Sequence, residues 1–151
     1  MKRLIAAAFA TILIVFGVSS VNAAPSGYYQ DQKVVYHNDG DGPDDPAYFK
    51  RLLNSIKNHI ATVGRDHVAI RVVDHGAGVD LFQAAKTDKE LADRIDALRA
   101  DGVRFLICAN TLRERQIDWH QLYGVNEDDI VPSGVAELAR LQAMGFVYIH
   151  L

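Results

Sequence analysis

The stretch HVAIRVVDHG, residues 67–76, is almost continuously apolar until it breaks into Asp74-His75-Gly76. A run of this length and content suits a strand covered on both faces, as in parallel sheets packed between helices. The segments on either side support that reading. Upstream, DDPAYFKRLLNSIKNHIATVG (44–64) places Phe49, Leu52, Leu53, Ile56, Ile60 and Val63 on one helical face. Asp45 suits its N-cap, Pro46 its first position and Gly64 its stop. Downstream, TDKELADRIDALRADG (87–102) reads as a helix opened by a Thr87–Glu90 capping box and ended by Gly102.

The same alternation continues outward. KVVYHND (33–39) and VRFLICAN (103–110) are further strands, and Thr111 with Glu114 predicts a capping box that opens another helix. Residues 118–123 form a turn with Trp119, Leu122 and Tyr123 as its apolar side. Residues 128–131 suit a short fourth strand. Ser133 caps a helix to about Met144, Gly145 stops it, and FVYIHL (146–151) is the last strand. Strands alternating with helices predict an α/β fold, a three-layer α/β/α arrangement with a mostly parallel sheet of about five strands.

The N-terminal 23 residues stand apart. Lys2 and Arg3 are followed by an almost wholly apolar run of 15 residues, Leu4 to Val18, and Val21-Asn22-Ala23 supplies small residues before a cut. That pattern predicts a signal peptide over 1–23 and an exported, periplasmic protein. The apolar run is shorter than the ~20 residues of a transmembrane helix. Residues 24–32 read as an N-terminal arm and 33–151 as a single domain. Loss of Lys2 and Arg3 leaves 14 basic residues against 19 acidic ones, a net charge of −5. A mildly acidic domain is a poor partner for nucleic acid or for a membrane surface after signal removal.

Three strands end in polar groups: His37-Asn38-Asp39, Asp74-His75-Gly76 and Cys108-Ala109-Asn110. Ligands of open parallel sheets bind beyond such carboxyl ends. If the three run side by side, a thiol, two imidazoles and two carboxylates share one crevice. Cys108 is the only cysteine, so no disulfide forms within the chain. It is either a small buried core residue or a thiol whose ionisation is favoured by a helix start. His37 and His75 are candidates to hold a thiolate or move its proton. Asn38, Gly76, Gly78 and Asn110 are candidates to face a ligand, with the GAG turn (76–78) as a possible anion nest. His59 and His67 read as surface residues; His120 and His150 read as structural.

Other chemistries find less support. Two histidines and the cysteine lack a short ligand pair, so no metal site is assigned. No GxSxG frames a serine nucleophile. The acidic residues from Asp39 to Asp45, and Asp128-Asp129, miss calcium-loop spacing and read as solvated loops.

Four blocks, KVVYHND, VVDHGAGVDLF, GVRFLICANTL and IVPSGVAELARLQAMGFVYIHL, together resemble the DsrE/DsrF-like family over about residues 33–150. The resemblance implies the three-layer fold and a homo- or hetero-oligomer, often a trimer or hexamer. It also implies sulfur-relay chemistry: a cysteine at the strand-to-helix position, here Cys108, carries sulfane sulfur as a persulfide between donor and acceptor proteins. No cofactor is required, and the activity is at most that of a sulfurtransferase-like carrier. The export signal departs from the cytoplasmic relays and implies another donor, such as a thiosulfate- or sulfide-oxidising system. Two alternatives stand beside the carrier: a non-catalytic oligomeric binding module using the same crevice, and a small cysteine-dependent enzyme.

Overall fold

The computed structural model describes residues 27–40 and 46–151. The signal peptide expected over 1–23, the first residues of the arm, and the Asp45 cap lie outside the described residues. Among the described residues, no helix is long and apolar enough to cross a membrane.

Five strands form one sheet: β1 (Gln32–Asn38), β2 (Val68–Asp74), β3 (Arg104–Cys108), β4 (Ile130–Val131) and β5 (Val147–His150). Their order is β4-β3-β2-β1-β5, and every pairing is parallel. The helices are α1 (Pro46–Val63), α2 (Asp80–Ala84), α3 (Lys89–Ala100), α4 (Ala109–Glu114) and α5 (Gly134–Ala143).

Alternation along the strands separates two cores. Val34, Tyr36, Ile70, Val72, Phe105 and Ile107 point to one face and pack with the apolar stripe of α1 and with Leu91, Ile95 and Leu98 of α3. Val35, Val73 and Leu106 point to the other and meet Leu138 and Leu141 of α5 and Phe146. Right-handed crossovers explain this division. The chain steps from β1 to β4 in one direction with its connections on one face. It then returns across the sheet to β5, which places α5 on the opposite face.

Two helix starts differ from the sequence expectation. The N-cap of α3 is Asp88, whose carboxylate accepts from the amides of Glu90 and Leu91 at 2.9 and 3.3 Å. Thr87 instead donates its hydroxyl to the Ala84 carbonyl, and the Glu90 side chain reaches Lys50 and Arg94 rather than turning back to a cap. Helix α4 starts at Ala109 with Cys108 at its N-cap, three residues ahead of a start after Thr111. The Ser133 cap forms as expected, accepting from the Ala136 amide at 3.3 Å.

Candidate functional site

The polar strand ends do not share one crevice. Asn38 and Asp74 are register partners, and both continue the side of their strands that faces the larger core. Each is fully buried. The Asn38 amide donates to Asp74 Oδ1 at 2.7 Å and to the Gly78 carbonyl at 3.1 Å, and its oxygen accepts from the Gly40 amide. Asn38 therefore clamps the ends of two strands to the turn beyond them. Among the described residues, Asp74 Oδ2 has no hydrogen-bond partner. Burial raises the Asp74 carboxyl well above the usual carboxylate range, against the smaller opposing effects of Asn38 and Arg99. Buried and bonded to Asn38, it is withdrawn from the rim, where only one of the two expected carboxylates, Asp39, is available. The cause is the two-residue period of a strand, which sends neighbouring residues to opposite faces.

His37, His75, Cys108 and His150 take the other phase and line up beneath the α5 face. His37 and His150 are partners across β1 and β5, with ring centroids 4.9 Å apart. His37 and His75 meet nitrogen to nitrogen, Nε2 to Nε2 at 2.6 Å, in rings inclined by 18°. His37 Nδ1 lies 2.6 Å from the Tyr148 hydroxyl. Burial, aided by the imidazoles of His75 and His150, holds His37 below the ordinary histidine value against the pull of Asp39. Gly134, the first residue of α5, covers the row's inner end: a Cβ there would stand 2.9 Å from His75 Cβ and 3.3 Å from Cys108 Cβ. Only glycine lets the α5 N-terminus approach both residues so closely.

The Cys108 side chain occupies a small polar enclosure. The residue is buried, with 5 % of its surface exposed. Burial pushes the thiol up, but the amides of Gly134, Thr111 and Asn110 and the Thr111 hydroxyl favour its thiolate and leave it below the ordinary thiol value. Thr111 Oγ1 also accepts from the Gly76 amide at 2.9 Å. That tertiary bond explains why Thr111 lies inside the helix instead of capping it.

The GAG turn makes no open anion nest. The Gly76 amide is bonded to Thr111 and the Gly78 amide to the His75 carbonyl. Gly78 is present for fit: a Cβ there would lie 2.0 Å from the Asn38 carbonyl oxygen. The Asn110 side chain accepts from Arg113, and its amide faces the thiol.

The other histidines divide differently from the expectation. His67 is exposed and pairs with Asp31. His120 is exposed, bonded to Asp118 and stacked on Trp119. His59, expected at the surface, is half-buried between the Tyr36 hydroxyl at 2.8 Å and Gln32 at 2.7 Å. His150 joins the site: its Nε2 lies 2.9 Å from Asp39 Oδ1. Asp39, read as part of a solvated loop, is the carboxylate of this cluster. Burial pushes Asp39 up, but the hydrogen bond to His150 and the nearby imidazoles outweigh it and lower it overall. One donor atom from each of His37, Asp39 and His150 lies within 4.8 Å of the others, close enough to hold one metal ion. The His-x-Asp spacing at 37–39 was a visible signal for two of these donors; the third depends on β5 pairing with β1.

A family model, the DsrE/DsrF-like family, matches residues 4–151. The chain belongs to the DsrE/DsrF-like family. DsrE membership points to a role related to sulfur relay, in which members act with partner proteins. A solved structure of the protein of unknown function MTH1491 from Methanobacterium thermoautotrophicum is 34% identical in sequence and aligns with a TM-score of 0.66. The alignment covers 80% of this DsrE-like chain and 100% of that chain. No curated protein matches the chain.

Proposed function

We propose that this protein is an exported sulfur carrier in which Cys108 receives sulfane sulfur and passes it on. The observation that carries the reading is the enclosure of Cys108, where three amides and the Thr111 hydroxyl converge on one sulfur. Family membership supplies the sulfur-relay context, and the N-terminal 23 residues supply the export signal.

The transfer needs no change in total electron count. The Cys108 thiolate attacks the outer, sulfane sulfur of a donor persulfide. The donor's S–S bond breaks as the new S–S bond forms on Cys108, and the donor leaves as a thiolate. An acceptor thiolate then attacks the outer sulfur and releases the Cys108 thiolate. The amides stabilise negative sulfur before loading and after release. His75, beside Cys108 under Gly134, together with His37, forms an imidazole pair suited to taking up or returning the thiol proton. Donor and acceptor proteins are the partners, and a trimer or hexamer is the assembly in keeping with the family.

Mass spectrometry of protein incubated with a polysulfide donor tests this. The expected product is Cys108 heavier by one sulfur atom, reversed by a reducing thiol and lost in Cys108→Ser. Absence of that adduct, or an equal adduct in Cys108→Ser, rules the carrier out. The shallow exposure of Cys108 favours a second reading, a non-catalytic oligomeric binding module. On that reading Cys108→Ala keeps partner binding intact, whereas substitution at His75 or Gly78 disturbs it.

A further inference from the structure

The sheet changes direction at β1. Strands β2, β3 and β4 lie to one side of it and β5 to the other, with α5 on the face opposite α1 and α3. In open parallel sheets, the crevice beyond the strand ends at such a reversal is the preferred place for a ligand. Here it holds His37 and Asp39 from the end of β1 and His150 from the end of β5.

The geometry points to a binding site for a first-row transition dication of the zinc class, held by His37, Asp39 and His150. The donors already converge. Asp39 Oδ1 is 2.9 Å from His150 Nε2, Asp39 Oδ2 is 4.0 Å from His37 Nε2, and the whole set lies within 4.8 Å. Zinc bonds of about 2.0–2.2 Å place tetrahedral donors roughly 3.3 Å apart, so side-chain movements of about 1 Å would seat the ion. Two imidazoles with one carboxylate suit zinc, copper or nickel; calcium and magnesium favour all-oxygen sets.

The surroundings fit a ligand role for His37. A metal-binding imidazole is oriented by a hydrogen bond at its second nitrogen. Tyr148 provides that contact to His37 Nδ1 at 2.6 Å, leaving Nε2 directed at the cluster. His75 Nε2, 2.6 Å from His37 Nε2, stands ready as a fourth donor. Asp39 and His150 are partly open to solvent, with side-chain exposures of 39% and 44%, so an ion has a way in. Cys108 is not part of the set, because it ends β3 and β2 lies between that strand and β1. The ion would nevertheless occupy the His37 nitrogen that the persulfide reading assigns to proton movement, so the test is read on metal binding alone.

Calorimetric titration of the purified, untagged protein with Zn²⁺ tests it, with Co²⁺ absorption reporting the ligands. The expected result is one Zn²⁺ per chain. His150→Ala and Asp39→Ala each weaken binding at least tenfold while leaving the circular dichroism spectrum unchanged. His67→Ala, at the opposite end of the sheet, leaves binding unchanged. The Co²⁺ complex shows no sulfur-to-metal charge-transfer band. Absence of binding at micromolar Zn²⁺, wild-type affinity in His150→Ala, or a thiolate band in the Co²⁺ spectrum would each overturn the site.

Discussion

Over the face covered by α1, α2 and α3, the sheet meets a deep apolar core that includes Phe49, Phe82 and Phe105, all essentially fully buried. Over the face covered by α5, the core is small, and Leu138 and Phe146 retain some exposure. The thick face keeps its polar residues, Asn38 and Asp74, locked in internal contacts. The thin face carries Cys108, His75, His37 and His150. One face holds most of the buried apolar side chains, and the other leaves room for chemistry because a single helix covers it.

The comparison breaks most severely at Gly78, where the Asn38 clamp of the thick face meets the turn that leads into α2. A Cβ there would sit 2.0 Å from the Asn38 carbonyl oxygen, a contact with backbone that no rotamer relieves. Gly78→Ala should cost about 3 kcal/mol or more. Denaturant unfolding checks this, and a loss below about 1 kcal/mol would mean that the turn is not so constrained.

The inequality of the two cores predicts a smaller, graded contrast. Leu52 on α1 is 1% exposed and Leu138 on α5 is 8% exposed. Leu52→Ala should fall in the upper part of the usual ~2–5 kcal/mol range for a buried leucine, and Leu138→Ala at or below its lower end. Equal losses in urea unfolding would show that the thin face contributes as much as the thick one.

Residue pattern revealed the layers far better than it revealed the site. Apolar runs such as AIRVV and helix signals such as Pro46 and Ser133 are local, and they predict the order of strands and helices in the fold. The cap of α3 lies one residue beyond Thr87 because the Asp88 carboxylate takes the amides of Glu90 and Leu91. The site depends on features a linear reading weighs poorly. Strand phase sends Asp74 away from His75, and the contact between His150 and Asp39 joins residues 111 positions apart. Nothing near His150 in sequence marks it as more than a terminal strand residue until β5 is placed beside β1.

Asp74 sharpens the contrast through pH. Its carboxyl is raised above the unfolded value of about 3.8 by burial. Below that pH it is neutral in both states and has no effect on stability. As pH rises, the unfolded chain releases the proton while the fold retains it, so stability falls by up to about 1.4 kcal/mol per pH unit until the folded pKa is reached. Asp74→Asn removes the titration. The unfolding free energy of the variant minus that of the wild type should therefore grow as pH rises above about 4. A constant difference would show that Asp74 ionises as readily in the fold as in the unfolded chain.

The smallest effect tests the thin face itself. Thr111 links the two sides of the Cys108 enclosure, accepting from the Gly76 amide while its hydroxyl favours the thiolate. Thr111→Val removes that hydroxyl and leaves the three amides around the sulfur. The midpoint of a pH profile of Cys108 alkylation should rise by up to about one unit, a tenfold loss of thiolate at any pH well below it. Thr111→Ser keeps the hydroxyl and should keep the midpoint, separating hydrogen bonding from the packing of the missing methyl. A Val variant with an unshifted midpoint would place the whole stabilisation of the thiolate on the amides, which the starts of α4 and α5 bring to the end of β3.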